Sequence, residues 1–495
     1  MTADAFGDIN RKQEYSTLSR IRKKYYAFFL TILIITSSLS FVSLNIRADS
    51  ADPWFDPGWA FRKKITIDHT EVDDFLNNFP VLLDILDSDL TIKCQSNGND
   101  ISFTTKQGQK INHEIEFYDN SNGHLIVWVQ IPFLSSITDT EIYMYYGNFT
   151  ASNQENPIDV WDTSYKAVYH LPETSGQYYD STSNNNDGYP VNVNQNYPGQ
   201  IAGSAFFDGT SYIEISNSFD LNWQQVTLEA WIYPTDVTPR QFIISKFKDG
   251  MDKDYSLGLL NGHVYIWYET DDNDYTSSIG TVSNNQWYHI AVVYTNWDAY
   301  NVYINGILAG SDTNTGPRAQ TDDDVEIGHA GGGYNSDNFN GIIDEVRISN
   351  SIREASWIQT SYNNQLNPSN FYFIDAEEYL PDAPLIFLEE PKNGAEYISG
   401  SLSQLNFSLL SPQGYAMNYS VTTSPHVGST IANNVPSGRY SVSVSDLEYS
   451  TTYLWTVNAT DGGNQTIREF TFTTEPDQPI IEYAYPTIET NYNPQ

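Results

Sequence analysis

Val226-Thr227-Leu228-Glu229-Ala230-Trp231-Ile232-Tyr233 sets Val226, Leu228, Ala230 and Ile232 in one register and Thr227, Glu229, Trp231 and Tyr233 in the other. A period of two sends successive side chains to opposite faces, as in a strand with one face in a core. Ile65-Thr66-Ile67, Leu125 to Val129, Ile142 to Tyr146, Tyr288 to Tyr294, Val302-Tyr303-Ile304 and Tyr453 to Val457 read the same way. Clusters of Asn, Asp, Gly and Ser separate these runs, so the sequence beyond residue 60 predicts antiparallel sheets and an all-β, multi-domain fold. The stretch that predicts a helix follows residue 350: Ser351-Ile352-Arg353-Glu354 has capping-box spacing, and Ala355, Ile358 and Tyr362 then share one face.

The chain has 495 residues, 62 acidic and 24 basic side chains, and a formal net charge of -38, which leaves no basic face for the phosphates of a nucleic acid. At roughly 100 to 200 residues per domain the length corresponds to about three domains. An aromatic content of 14% supplies ample apolar surface for folding, and a single cysteine, Cys94, excludes a disulfide scaffold. Cys94 reads as an inert buried thiol, because no His or Arg lies near it in sequence to lower its pKa.

Arg11, Lys12, Arg20, Arg22, Lys23 and Lys24 precede an uncharged stretch from Tyr25 to Leu44. A basic lead (1–24) before an apolar segment (25–44) directs the N-terminus inside and exports the remainder. Two readings stand for 25–44: a signal peptide cleaved near Ala48-Asp49-Ser50-Ala51, or an uncleaved hydrophobic helix anchoring the chain in a membrane. In both the protein is extracellular or at the cell surface. Sequons at Asn148, Asn406, Asn418, Asn458 and Asn464 suit an exported chain, although an Asn-rich and Thr-rich sequence also forms such tripeptides by chance.

Composition shifts divide the exported part into 54–148, a linker at 149–159, a unit at 160–350 with a short helix at 351–366, a unit at 385–474, and a Pro-rich tail at 475–495 that reads as disordered. The first unit opens Trp54-Phe55-Asp56-Pro57-Gly58-Trp59 and Arg62-Lys63-Lys64-Ile65-Thr66-Ile67, and ends Ile142-Tyr143-Met144-Tyr145-Tyr146-Gly147-Asn148. These motifs resemble an uncharacterised β-rich domain found at the start of archaeal and bacterial surface proteins, often ahead of a laminin-G-like module. The second unit carries Ala205-Phe206-Phe207-Asp208-Gly209, Leu228-Glu229-Ala230-Trp231-Ile232-Tyr233-Pro234, Trp287-Tyr288-His289-Ile290-Ala291 and Gly341-Ile342-Ile343-Asp344-Glu345-Val346-Arg347-Ile348. It resembles the laminin-G-like, concanavalin-A-like jelly roll, which implies two packed antiparallel sheets, glycan or protein binding at a loop rim, and in many members a calcium ion. Asn305-Gly306 fits a type I′ hairpin within it. The third unit, with Leu447, Tyr449, Tyr453, Trp455 and Phe470-Thr471-Phe472, resembles a fibronectin type III or immunoglobulin-like sandwich. That resemblance implies a tyrosine corner over Leu447 to Tyr453 and Trp455 in the core.

Asp180-Ser181-Thr182-Ser183-Asn184-Asn185-Asn186-Asp187-Gly188 concentrates the oxygen donors that calcium requires, about six to eight per ion. With Asp344 added from the jelly-roll resemblance, Asp180, Asp187 and Asp344 form a candidate calcium site; the competing reading of the loop is a self-capped turn. Asp322-Asp323-Asp324 reads as a solvated loop. Tyr265, Trp267 and Tyr334 lie among polar residues and are the candidate glycan platform, with core packing as the competing reading; alternation puts Tyr265 and Trp267 on one face. Glycoside hydrolases of this fold carry Glu-x-Asp-x-(x)-Glu on one strand, which is absent. Glu114-Ile115-Glu116 reads as a solvent face, His113 as a satisfied surface histidine, and no nucleophile elbow or zinc-protease motif occurs. The expectation is a non-catalytic surface protein whose laminin-G-like module binds glycan or a cell-surface partner, with calcium in support. A structural spacer and a carbohydrate-active hydrolase are the alternatives.

Overall fold

The computed structural model describes Asp52, residues 54–56 and residues 58–477, except 217–220, 222–224, 248–252, 271–272, 296–298, 314–320, 322, 332–336, 380–382, 412–413 and 462. The basic lead, the 25–44 segment and the tail beyond 477 lie outside the described residues. No helix among those described is long and apolar enough to cross a membrane. The described architecture is all-β and multi-domain.

In the first unit, Phe61–Ile67 buries Phe61, Ile65 and Ile67 and pairs along its length with Thr140–Tyr146, Phe61 opposite Tyr146 and Ile67 opposite Thr140. Ser102–Thr105 and Lys110–Ile111 extend this sheet on the far side. A second sheet of Leu76–Leu86, His124–Leu134 and His113–Asp119 packs against it. The free edge of Phe61–Ile67 is closed by Tyr372–Ile374 and Glu378–Tyr379, which follow the jelly roll in sequence. The unit expected at 54–148 is therefore completed by residues more than two hundred positions away. An open edge strand is a pairing hazard, and this return covers it.

The jelly roll is an eight-stranded and a seven-stranded antiparallel sheet among the described residues. Val226, Leu228, Ala230 and Ile232 enter the core between them, as their register requires. The opposite register is covered as well: Glu229 and Trp231 are each 1% exposed. The cover is the helix Ala355–Leu366 and the first unit, whose apolar core continues without a break into Trp161, Tyr165, Val168, Trp357 and Ile358.

The helix differs from expectation in both cap and face. Thr227 Oγ1 accepts from Arg353 N–H and donates to Ser351 C=O, while the Arg353 guanidinium pairs with Asp162, so residues 351–353 stay outside the helix and the capping box does not form. Glu354 is the N-cap residue, without a side-chain cap bond. Ile358 is buried as expected, but Trp357, Thr360, Ser361, Asn364 and Gln365 are buried with it in place of Ala355 and Tyr362. Its amides satisfy polar groups of both neighbours: Asn364 exchanges two hydrogen bonds with the Leu82 backbone (2.7 and 2.9 Å), and Gln365 Oε1 accepts from the Trp231 indole at 2.7 Å. The third unit is a three-stranded and a five-stranded sheet, with Trp455 fully buried in its core and the Tyr453 hydroxyl accepting from Glu448 N–H.

Phe371 and Tyr372 are buried with the return strands, each contributing about 1.5–3 kcal/mol of transfer free energy. A chain cut after Leu366 is expected to melt far below one ending at Tyr379; equal melting temperatures would remove the return strands from the unit's stability. His113, expected at the surface, is 0% exposed and packs edge-on to Phe103 at 5.2 Å; burial, then Lys110, pushes its pKa down to about 3. The unfolded chain thus binds a proton near pH 6.5 that the folded one refuses, so this residue lowers stability by about 1.4 kcal/mol per pH unit as pH falls from 6.5 toward 3. In His113→Leu that slope should flatten, as read by denaturant melts at several pH values.

Candidate functional site

The 180–188 loop is a turn that satisfies itself. Asp180 Oδ1 accepts from Val168 N–H (3.0 Å) and Thr182 N–H (2.9 Å), and its Oδ2 from the Thr182 hydroxyl (2.8 Å) and Asn186 N–H (2.9 Å). Asp187 accepts from Asp180 N–H and the Gln177 amide. Asp344 does not join them. It is 0% exposed, and the loop at Gly199 wraps its Oδ2 with the N–H groups of Gln200 (2.8 Å) and Ile201 (3.0 Å). A Cβ at Gly199 would stand 2.5 Å from that oxygen, so the wrap requires glycine. Asp180 and Asp187 are thus held by donors in and around their loop, and Asp344 by the Gly199 wrap, with its Oδ1 buried and without a partner.

Tyr265 and Trp267 share the outer face of the seven-stranded sheet, opposite Val264, Ile266 and Tyr268 in the core. They are 5% and 7% exposed, pack with Phe242 and Phe247, and Trp267 carries the Arg240 guanidinium at 4.6 Å and the Lys253 ammonium at 4.8 Å. Those cations hold the ring that a sugar would need, so the pair is packed rather than open. Tyr334 lies outside the described residues. Of the sequon asparagines, Asn418 and Asn464 are exposed and Asn148, Asn406 and Asn458 half-buried. Cys94 is buried and free, its thiol pKa pushed up by burial.

The structure gathers chemistry elsewhere, where His113–Asp119 of the first unit meets the jelly roll. Glu114 and Glu116 do not face solvent. The two share one face, as alternation gives, but that face meets the jelly roll, and both carboxylates turn into the junction. Glu114 accepts from the Trp161 indole at 2.8 Å and Glu116 from the Trp128 indole at 2.9 Å. Across the junction His170 Nδ1 stands 2.7 Å from Glu345 Oε1, and Arg347 bonds Glu345 Oε2 at 2.6 Å beneath the rings of Trp128 and Trp161. Glu345 has φ of 52° at a bulge opposite Ala230, a left-handed conformation uncommon for a non-glycine residue, which aims the side chain at His170. Burial, then repulsion from Glu345, pushes the Glu116 pKa up to about 8, whereas His170 and Arg347 hold Glu345 below its usual value against desolvation.

In front of this cluster lies a cleft of about 650 Å³, lined by Glu116, Phe117 and His124 of the first unit and by Glu173, Thr174, Asn196 and Tyr197 of the jelly roll. Phe117 and Tyr197 are 42% and 37% exposed; Tyr197 stacks one face on Phe206. Glu116 Oε1 and Glu173 Oε2 are buried without a hydrogen-bond partner, and burial raises the Glu173 pKa as well. Stacking surface beside unsatisfied acceptors suits a polyhydroxylated ligand. A second groove, of about 550 Å³, is lined by Asn112, Gln130, Asp162, Lys166 and Asn184, but its aromatic residues Trp161 and Tyr165 are closed off at 3% and 1% exposure.

Residues 207–359 match the concanavalin A-like lectin/glucanases superfamily, and residues 97–227 match a domain of unknown function, DUF2341. The chain thus contains a concanavalin A-like domain and a DUF2341 domain. Comparison with curated proteins gives no significant match. Similar solved structures include domain 4 of an extracellular GH43 arabinanase from Geobacillus stearothermophilus with arabinotriose (23% identity, 40% of this chain and 98% of that one, TM-score 0.34). Others are the binding domain of Paraclostridial Mosquitocidal Protein 1 (10% identity, 63% and 92%, TM-score 0.34) and Trypanosoma rangeli sialidase with sialic acid (13% identity, 54% and 44%, TM-score 0.35).

Removing a buried carboxylate that accepts four hydrogen bonds should cost about 3 kcal/mol. Asp180→Ala is expected to lose that stability equally in calcium and in chelator; a calcium-dependent gain present in the native chain and absent from the variant would restore the loop as a cation site.

Proposed function

We propose that the chain is an exported surface protein that binds a neutral glycan, without turnover, in the cleft where its first unit meets its jelly roll. The observation that carries this reading is the cleft itself, where two half-exposed aromatic rings, one from each unit, flank two carboxyl groups that each keep a buried oxygen without a partner. Sugars rest CH faces on such rings while acceptors orient their hydroxyls, and buried polar groups left unpaired reward a ligand that pairs them. A formal charge of -38 disfavours an acidic polysaccharide, which makes the ligand a neutral one. Support for export comes from the basic lead and apolar segment of the sequence and from sequon asparagines that are exposed or half-buried. A pure spacer would have no use for an open cleft of this composition.

Hydrolysis is the second reading, and it has its own observation: Glu116 and Glu173, 57 positions apart, line the same cleft, and hydrolases work with two carboxyl groups. A glycan array on the exported chain separates these readings. Neutral glycans should bind, and Tyr197→Ala and Phe117→Ala should each weaken binding by roughly tenfold, the worth of about one aromatic contact. Binding untouched by both substitutions would place the ligand elsewhere. Reducing-sugar release abolished by Glu173→Gln would make the protein an enzyme.

A further inference from the structure

The junction cluster contains more acid than its pairing uses. Glu116, His170 and Glu345 each bring one donor atom within 4.8 Å of the other two. Glu116 Oε2 lies 3.6 Å from His170 Nδ1, and Glu114 Oε2 lies 3.5 Å from His170 Nε2. Four carboxylates, those of Glu114, Glu116, Asp344 and Glu345, answer to one guanidinium and one imidazole. Glu116 Oε1 and His170 Nε2 are buried and make no hydrogen bond, with the Glu116 side chain 0% and the His170 side chain 6% exposed. Crowding several buried carboxyl groups together is costly, and a cation among them offsets that cost.

We propose that Glu116, His170 and Glu345 bind one divalent transition-metal cation of the zinc class, which ties the first unit to the jelly roll at the floor of the cleft. An imidazole nitrogen with carboxylate oxygens is a donor set for zinc, cobalt or manganese, whereas calcium and magnesium take oxygen alone. The ion replaces the proton between His170 Nδ1 and Glu345 Oε1. Trp128 N–H on Glu116 and Arg347 on Glu345 Oε2 then orient the ligand carboxylates, as outer partners do in metal sites. Glu116 borders the cleft, so the site lies directly beneath it. The proposal does not rest on the glycan reading, since its test contains no sugar.

The test uses the full chain, stripped with chelator, reloaded with zinc or cobalt, and dialysed. One retained ion per chain, visible d–d bands with cobalt, and a rise in Tm on loading are expected. Glu116→Gln keeps the shape of the side chain and removes the ligand charge, so it and His170→Gln should weaken retention at least a hundredfold. A cluster near the surface, of half-buried Asp68 and His69 with exposed Asp139, is the competing site. Asp139→Asn should leave retention unchanged, and X-ray absorption of the zinc-loaded native chain and of this variant should show one imidazole in each. No retained ion in the native chain, full retention in a folded Glu116→Gln, or loss in Asp139→Asn would each overturn the proposal. If His170→Gln does not fold, Glu116→Gln decides.

Discussion

The Arg347 guanidinium, buried between the jelly-roll core and the rings of Trp128 and Trp161, is the contact on which the arrangement of the first two units depends. A buried charge is tolerable only with a partner, and Glu345 is that partner at 2.6 Å. Presenting Glu345 requires the bulge opposite Ala230, and satisfying its second oxygen requires His170. The acids of the first unit then follow, because Glu114 and Glu116 reach His170 while tethered to two tryptophans. Among the contacts that cross between the units are Glu114 and Glu116 to His170, the Trp161 indole to Glu114, and Arg347 over Trp128.

Much of the fold is legible because strand register is local. Val226 to Tyr233 shows its core face residue by residue, and Asn305-Gly306, at φ of 51° and 75°, makes the tight turn its dipeptide requires. Trp455 sits in the core of the third unit. What stayed hidden is what depends on distant partners. The return of Tyr372–Ile374 to Phe61–Ile67 leaves no trace in either segment's period. The helix buries Asn364 and Gln365, which an apolar-face reading assigns to solvent, because their amides answer a backbone and an indole far away in sequence.

The candidate site was less legible. Alternation assigns faces only while the ladder is regular. At Glu345 a bulge breaks the ladder and the rule fails, whereas at Glu114 and Glu116 it groups the two acids correctly but cannot say that the jelly roll covers their face. The acid singled out in sequence, Asp344, is the immediate neighbour of the one that reaches the junction. A local signal did exist: Glu114-Ile115-Glu116 and Asp344-Glu345-Val346-Arg347 are charged runs inside otherwise apolar strands, where solvent faces and buried networks look alike until the partner strand is known.

A cleft made by two units has a property that a pocket within one lacks. Its width is fixed by how they dock, and here docking is set by a continuous apolar core, two side-chain amides of one helix and a buried ionic cluster. Phe117 and Tyr197, one from each side, are therefore placed by the docking of the two units. The match to DUF2341 runs from residue 97 to 227 and so spans both walls of the cleft, from Phe117 to Tyr197. That continuity makes the junction, and not the jelly roll alone, the stretch over which the match runs.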